Sequence, residues 1–348
     1  MAVITIIGAG MMGSALAFPA RENGNEVRLV GTPLDREIIE TCKKTNRHPK
    51  FEVDFPRGIT YYQWEEAECA IAGAHGIIGG VSSFGVDWFG NEVLPKIPDG
   101  TPVITVTKGL WDTEEGELVT YPDLWEKKLQ SLSKSLPLAA IGGPCTSYEL
   151  VAHDHSTVTF CGKEEAVLAN WRQWMETDYY HISLSPDVRG VEAAVALKNG
   201  YALGVALTVG LCRRQYGNDT LHYNSQAAVF GQAAKEMSRL LTFMGAWSLD
   251  NLSLGVGDLY VTVYGGRTRL VGILLGEGLT IDEAKERLAG VTLESLVVAE
   301  RVARAVKKAV ADGKAAAEDF PLLLHIDSIL TRRAPAPIPY AAFEKNGF

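Results

Sequence analysis

Cysteine is scarce in this 348-residue sequence, and its five copies (Cys42, Cys69, Cys145, Cys161 and Cys212) are widely spaced with no CxxC pair. That excludes a disulfide scaffold and a cysteine-ligated zinc site. Histidine is thin as well. Of the seven, only His153 and His155 stand close, two apart around Asp154 on an expected loop, and no HxxxH spacing occurs, so no metal is assigned. Basic residues are outnumbered, Lys+Arg 33 against Asp+Glu 42, for a formal charge of -9. A general basic surface for nucleic acid is therefore not expected, although a local positive pocket remains open. The opening MAVITIIGAG lacks a basic flank, and its apolar run breaks at glycines, so no signal peptide is read and the cytoplasm is the expected compartment. One run alone has the length of a membrane span, Ala193 to Leu211, and Lys198 and Asn199 interrupt it. A central lysine costs about 2.5–3.5 kcal/mol on insertion scales, so a buried helix is expected there and no membrane span. Repeats and low-complexity tracts are missing too, and 47% hydrophobic with 22% charged residues is ordinary globular usage.

What is present starts with length: 348 residues suggest two domains. Ala2 to Ile7 reads as an apolar strand, Ser14 to Asn23 as a helix closed by Gly24 and Asn25, and Glu26 to Val30 as a second strand. Gly8-Ala9-Gly10-Met11-Met12-Gly13 lies at the first turn of this βαβ unit. GxGxxG alone is a weak signal, but between strand and helix it is the dinucleotide fingerprint. Gly8 allows the tight turn, Gly10 the approach of a pyrophosphate, and Gly13 close helix–strand packing. The helix N-terminus offers free N–H groups and positive dipole to the anion. The cofactor is NAD or NADP. No acid directly follows the second strand to take a ribose hydroxyl, and Thr32 with Arg28 or Arg36 could accept a 2′-phosphate, so the preference stays open.

Further apolar runs end in small or polar residues, as strand ends lining a ligand crevice do: Gly76 to Val81 before Ser82 and Ser83, Pro102 to Val106 before Thr107-Lys108-Gly109, and Leu138 to Gly142 before Gly143-Pro144. Thr157 to Cys161 and His181 to Leu184 complete the strands. From Val188 the spacing turns helical, with helices expected over Val188 to Leu211, Ser225 to Met244, Ile281 to Leu288, Thr292 to Asp312 and Phe320 to Thr331. The expected fold class is α/β: an N-terminal Rossmann-type doubly wound sheet over 1–187 and a C-terminal all-α domain over 188–348, with the active site between them.

Lys198 is the only cation between Arg189 and Arg213, on a helix otherwise nearly all apolar. Burial favours a lysine that exchanges protons, where a snorkelling lysine would be the ordinary alternative. Asp258, flanked by glycines in Gly255-Val256-Gly257-Asp258 and expected between helices, is a suitable partner, or a simple helix cap. Tyr264-Gly265-Gly266-Arg267-Thr268-Arg269 runs into a helix and has the make-up of an anion site, with Arg267 and Thr268 as donors. Lys108, at a crevice edge, suits cofactor phosphate, substrate or solvent equally. Cys145, Ser82, Ser83 and Ser147 lack the neighbours of a nucleophile.

Together these segments resemble the NAD(P)-dependent sn-glycerol-3-phosphate dehydrogenase family, its archaeal-type members included. The resemblance runs through GAGMMGSALA at the first turn, TKG around Lys108, GGP at 142–144 with Glu149, ALKN at 196–199, GVGDLYVTVYGGRTR at 255–269 and GEGLTIDEA at 276–284. It implies hydride transfer between a nicotinamide and C2 of dihydroxyacetone phosphate. By position Lys198 resembles the general acid and Lys108 the second active-site lysine. Asp258 and Thr262 resemble residues that hold Lys198 and substrate, and Asn199 the amide beside the lysine. Arg267 resembles the phosphate-binding arginine, and Glu294 the residue that touches the cofactor from the second domain. A homodimer is one assembly the resemblance allows. The sequence departs from the family pattern at the rim: Arg267-Thr268 replaces Arg-Asn, Cys145-Thr146-Ser147 follows Gly143-Pro144, and Ser295 follows Glu294. Three rival readings remain: another phosphorylated ketose, polyol or small anionic ketone as substrate, a ketopantoate-reductase-like hydroxyacid dehydrogenase, and an NAD(P)-binding sensor that catalyses nothing.

Overall fold

Val3–Ile7 (β1) is apolar on both faces and almost wholly buried, the pattern of a central parallel strand. The computed structural model describes residues 1–113, 116–217, 222–291, 293–332 and 336–343, and the side chains of 294, 295 and 332 lie outside that description. The other strands are β2 (Glu26–Val30), β3 (Ile59–Tyr62), β4 (Gly76–Gly79), β5 (Val103–Thr105), β6 (Leu110–Asp112), β7 (Leu118–Thr120), β8 (Leu138–Gly142), β9 (Ser156–Gly162) and β10 (Tyr180–Ser185). The longer helices are α1 (Met11–Glu22), α2 (Arg36–Thr45), α3 (Tyr121–Ser131), α4 (Glu165–Met175), α5 (Val188–Tyr216), α6 (Tyr223–Phe243), α7 (Asn251–Gly265), α8 (Arg267–Glu277), α9 (Ile281–Arg287), α10 (Glu294–Ala311) and α11 (Pro321–Arg332).

The first compact unit comprises Met1–Lys108 and Thr120–Glu192. Its eight-stranded sheet runs in the order β10-β9-β8-β5-β4-β1-β2-β3. Neighbours from β3 to β8 pair in parallel, and the direction reverses only between β8 and β9. Register aligns the strand ends: Ile7 is level with Val30 and Gly79, and Gly79 with Thr105. The turns after β1, β2, β4 and β5 therefore leave one edge of the sheet, where a doubly wound fold binds its ligand. Gly24, at φ 83, closes α1 in the left-handed region that glycine adopts freely.

The second unit comprises Gly109–Val119 and Ala193–Phe348. The expected boundary after Asp187 thus differs from the structure in two places. The helix that opens at Val188 still belongs to the first unit up to Glu192, and the β6–β7 hairpin, as far as Val119, belongs to the second. Arg301 explains the hairpin's allegiance. It lies over the Trp111 ring at 4.4 Å, donates to the Leu110 carbonyl at 3.0 Å and pairs with Asp112 at 3.3 Å, while Arg304 reaches Asp112 at 2.6 Å. Apart from that hairpin the unit is helical. The long apolar helix α5 is its core, with 89% of its most apolar window buried within the protein.

Glu236, on α6, is fully buried and tied into this core. Tyr201 Oη and Gln232 Nε2 donate to it, and so do the backbone N–H groups of Leu322 and Leu323 in the first turn of α11. Burial pushes its carboxyl upward against these four bonds. Glu236→Ala would strand two buried helix-end donors at about 1–3 kcal/mol each. A loss of about 2–6 kcal/mol in denaturant unfolding is the expected result.

Candidate active site

In the first unit, β1 ends in the turn Gly8–Gly13. Gly8 holds φ 115, and a Cβ on it would lie 2.7 Å from the Gly80 carbonyl group. Gly13 faces the Gly8 carbonyl and Gly80 Cα, so a side chain there would push α1 off the sheet. Gly10 differs: a Cβ on it would meet only the Gly80 oxygen, at 4.0 Å. The turn is closed beneath and open above the N-terminus of α1, which has no acid in its first turn and no side-chain cap. Free N–H groups and helix dipole therefore face that opening, a cradle suited to a pyrophosphate. Met11 and Met12 begin the helix and pack their side chains on the sheet core, so they contribute backbone to the cradle.

Asp35 emerges here, although its distance from the end of β2 hid it in the sequence. Its Oδ2 accepts from Ala9 N at 3.1 Å, Thr32 N at 2.9 Å and Thr32 Oγ1 at 2.7 Å. It clamps the β2 turn onto the glycine turn, and it engages the Thr32 hydroxyl. Of the two arginines considered for a 2′-phosphate, Arg28 is engaged by Glu26 and by the Ala70 and Ala72 carbonyls, and Arg36 pairs with Glu65. Ser82 and Ser83 follow β4 at the same edge, Ser82 exposed and Ser83 half-buried. Thr107 Oγ1 donates to the Val81 carbonyl at 2.7 Å, and Lys108 Nζ to the Gly143 carbonyl at 2.7 Å. Three successive strand ends are thereby laced together, and Lys108 is held in place by backbone.

In the second unit, Lys198 on α5 is 8% exposed and forms an ion pair with Asp258, 2% exposed, on α7. Asp258 is not between helices, as its flanking glycines suggested, but inside α7. Glycine in a helix interior costs about 1 kcal/mol against alanine, which is why the sequence reads as a break. Here Gly255 permits contact. A Cβ on it would lie 2.7 Å from the Ala194 carbonyl and 2.8 Å from Met237 Cε. Ala194 is one turn before Lys198 and Gly255 one turn before Asp258, so this close crossing brings acid and amine together. Thr262 Oγ1 donates to the Asp258 backbone carbonyl at 2.7 Å, bracing the helix turn rather than touching Lys198. Gly266 packs on the Thr262 carbonyl and turns the chain into α8, whose first residue is Arg267. Arg267 is exposed at that helix N-terminus, and Thr268 is 5% exposed. Asn199 is half-buried beside Lys198. The side chain of Glu294 lies outside the described residues.

A cradle for a dinucleotide on one unit and a buried lysine–aspartate pair beside an arginine-headed helix on the other match one known family along the chain. Residues 3–168 fit the profile described as "NAD-dependent glycerol-3-phosphate dehydrogenase N-terminus", and residues 187–337 the one described as its C-terminus. An NADP(+)-dependent glycerol-3-phosphate dehydrogenase of Archaeoglobus fulgidus is 33% identical over 316 residues, covering 90% of this chain and 92% of its own. A glycerol-3-phosphate dehydrogenase [NAD(P)+] of Shouchella clausii is 30% identical, covering 85% and 84%. In fold, the crystal structure of the Coxiella burnetii glycerol-3-phosphate dehydrogenase superposes over 99% of this chain and 98% of its own, at a TM-score of 0.79 and 23% identity. With both halves matched in order and a third of the positions shared with a relative of nearly equal extent, the chain belongs to the NAD-dependent glycerol-3-phosphate dehydrogenase family.

Proposed function

We propose that this chain is an oxidoreductase that interconverts dihydroxyacetone phosphate and sn-glycerol 3-phosphate with NAD(H) or NADP(H). The observation that carries the chemistry is the buried Lys198–Asp258 pair. A sensor needs no buried proton donor, whereas carbonyl reduction does. The cofactor fits the glycine turn, where the closed base and open top leave room for its phosphates. Thr32, Ser82, Ser83 and Glu294 are the proposed contacts around it. When bound, its nicotinamide supplies or receives the hydride at C2. Lys198 Nζ gives a proton to the C2 oxygen in reduction and recovers it in oxidation. Asp258 fixes that nitrogen, Thr262 stiffens the turn that carries Asp258, and Asn199 orients the substrate beside it. Arg267 and Thr268 bind the substrate phosphate at the start of α8, where helix dipole and guanidinium act together. Lys108, anchored on Gly143, adds positive charge for an anionic substrate.

Thr268 gives a second reading its footing. A buried hydroxyl stands where the family usually has an amide, so a related ketose or polyol phosphate is the rival substrate. A reductase assay with NADH and with NADPH, offering dihydroxyacetone phosphate, larger ketose phosphates, dihydroxyacetone and 2-oxo acids, tests both. Turnover led by dihydroxyacetone phosphate is expected. A preference for a 2-oxo acid, or no turnover with any ketone, would overturn the reading.

A further inference from the structure

His48 lies in the loop between α2 and β3, is 1% exposed, and has no part in the proposed chemistry. The loop is shut at its base, where Phe55 N donates to the Asn46 carbonyl at 2.7 Å and Asn46 Nδ2 to the Phe55 carbonyl at 2.6 Å. Phe51 and Phe55 seat it on Phe18 of α1, and the His48 ring lies 4.6 Å from the Phe51 ring. Both ring nitrogens are engaged. Lys50 N donates to Nδ1 at 3.1 Å, so Nδ1 is the acceptor and the ring proton sits on Nε2. Nε2 therefore donates to the Ala9 carbonyl, 3.2 Å away in the glycine turn. Burial lowers the pKa of the ring and favours this neutral form, against the pull of that carbonyl. Ser14 Oγ donates to the same carbonyl at 3.2 Å, while Ala9 N is held by Asp35 at 3.1 Å.

We propose that His48 is a positioning residue for cofactor binding: by donating to the Ala9 carbonyl it aims the Gly10 N–H at the pyrophosphate of the cofactor. The inference rests on the reading of the glycine turn as the cofactor cradle. In a planar trans peptide, the carbonyl of one residue and the N–H of the next point in opposite directions. The Ala9 carbonyl faces the buried His48 ring and the buried Ser14 hydroxyl. Gly10 N–H therefore faces away from them, and it has no partner among the described residues. Asp35 holds the peptide before Ala9 and His48 the peptide after it, so both planes are set before a ligand arrives. A donor already aimed spares binding the cost of ordering it. Ser14 belongs to α1 and moves with the turn, whereas His48 ties the turn to a separate, closed loop. His48 is behind the turn and does not touch the cofactor, so it acts through this one peptide.

Fluorescence titration of wild type, His48→Asn, His48→Gln and Gly10→Val with NADH and with NADPH tests the inference. Glutamine places an amide N–H near the position of Nε2 and so keeps the bond to Ala9. Asparagine places an acceptor near the position of Nδ1, keeps the bond from Lys50 and stops short of Ala9. His48→Asn should raise the cofactor Kd about three- to tenfold, the weight of one neutral hydrogen bond. His48→Gln should stay within about twofold of wild type, below the weight of one such bond. Each variant keeps one of two ring hydrogen bonds, so a purely structural role predicts similar losses of melting temperature and no difference in Kd. Equal cofactor affinity in the two variants, whether retained or weakened, overturns the inference. Should His48→Asn fail to fold, the 15N-edited spectrum of the wild-type histidine rings decides, with His48 assigned through its contact with Phe51. The Nε2–H resonance should move downfield when cofactor binds, because an anion on Gly10 N–H polarises the Ala9 carbonyl of the same peptide. A ring protonated on Nδ1, or a resonance that cofactor leaves unmoved, overturns the inference. Gly10→Val separates the two readings, since a side chain there meets only the Gly80 oxygen and spares the fold. Wild-type affinity in Gly10→Val would end the cradle reading and this inference with it. Lost binding there, with equal affinities in the two His48 variants, would end this one alone.

Discussion

Lys198→Ala is expected to lower kcat for ketone reduction by about 10²–10⁴-fold, the usual contribution of a positioned general acid. The lysine is buried on α5 and meets Asp258 through the close crossing at Gly255. Its loss removes the proton donor, and it also leaves a carboxylate of 2% exposure without its amine. Breaking a buried pair from one side costs about 3–5 kcal/mol, so a fall in stability accompanies the fall in rate and must be separated from it. Lys198→Ala with Asp258→Asn removes both charges. If the pair acts as a unit, the double variant regains stability relative to Lys198→Ala yet no activity, and the two rate losses do not add. Cofactor affinity, read by fluorescence titration, should be largely kept, since the glycine turn belongs to the first unit. Near-normal turnover in a folded Lys198→Ala protein would refute the assignment.

Arg267→Ala carries the second large effect, and its readout is selectivity. Arg267 is exposed at the first residue of α8, so its removal leaves no cavity and should spare the fold. A charge-assisted hydrogen bond contributes about 1.5–3 kcal/mol, or roughly one to two decades in binding. The expected result is a ten- to hundredfold loss, on that same scale, in kcat/KM for dihydroxyacetone phosphate, with a much smaller change for unphosphorylated dihydroxyacetone. Salt should narrow the wild-type difference between the two ketones, because part of the attraction is long-range. Equal harm to both substrates would remove Arg267 from phosphate binding and leave the oxidoreductase reading intact.

The sites differ in how far they were legible before folding. The glycine turn was readable because everything it needs is local. Gly8, Gly10 and Gly13 sit within one turn and the start of one helix, and the flanking strand and helix have unambiguous periodicities. Lys198 was readable because one cation in an apolar run must be buried or snorkel, and either outcome is conspicuous. Strand ends were less exact. β4 and β5 are shorter than their apolar runs, since Val81 and Val106 leave the ladder to form the ligand-side loops. β3 leaves no mark in the sequence, because an edge strand of four residues with an exposed Thr60 has little pattern to show.

By itself, then, the order of residues determined the βαβ opening, the change from strands to helices after β10, the burial of the long apolar helix and the family pattern that links Lys108, Lys198, Asp258 and Arg267. The first three rest on spacing within a few turns of chain, and the last on a resemblance carried by short motifs in order along the chain. The tertiary structure decided the rest. It placed Asp258 inside a helix, because the gap at Gly255 is filled by a carbonyl on α5. It gave the β6–β7 hairpin to the second unit, because Arg301 and Arg304, nearly two hundred residues later, hold Asp112. It made Asp35 a clamp on the glycine turn, and it left Glu192 without a hydrogen-bond donor among the described residues. Propensity and periodicity act over a few residues, whereas the partners that settle these side chains come from distant segments that meet only once apolar burial has closed the chain.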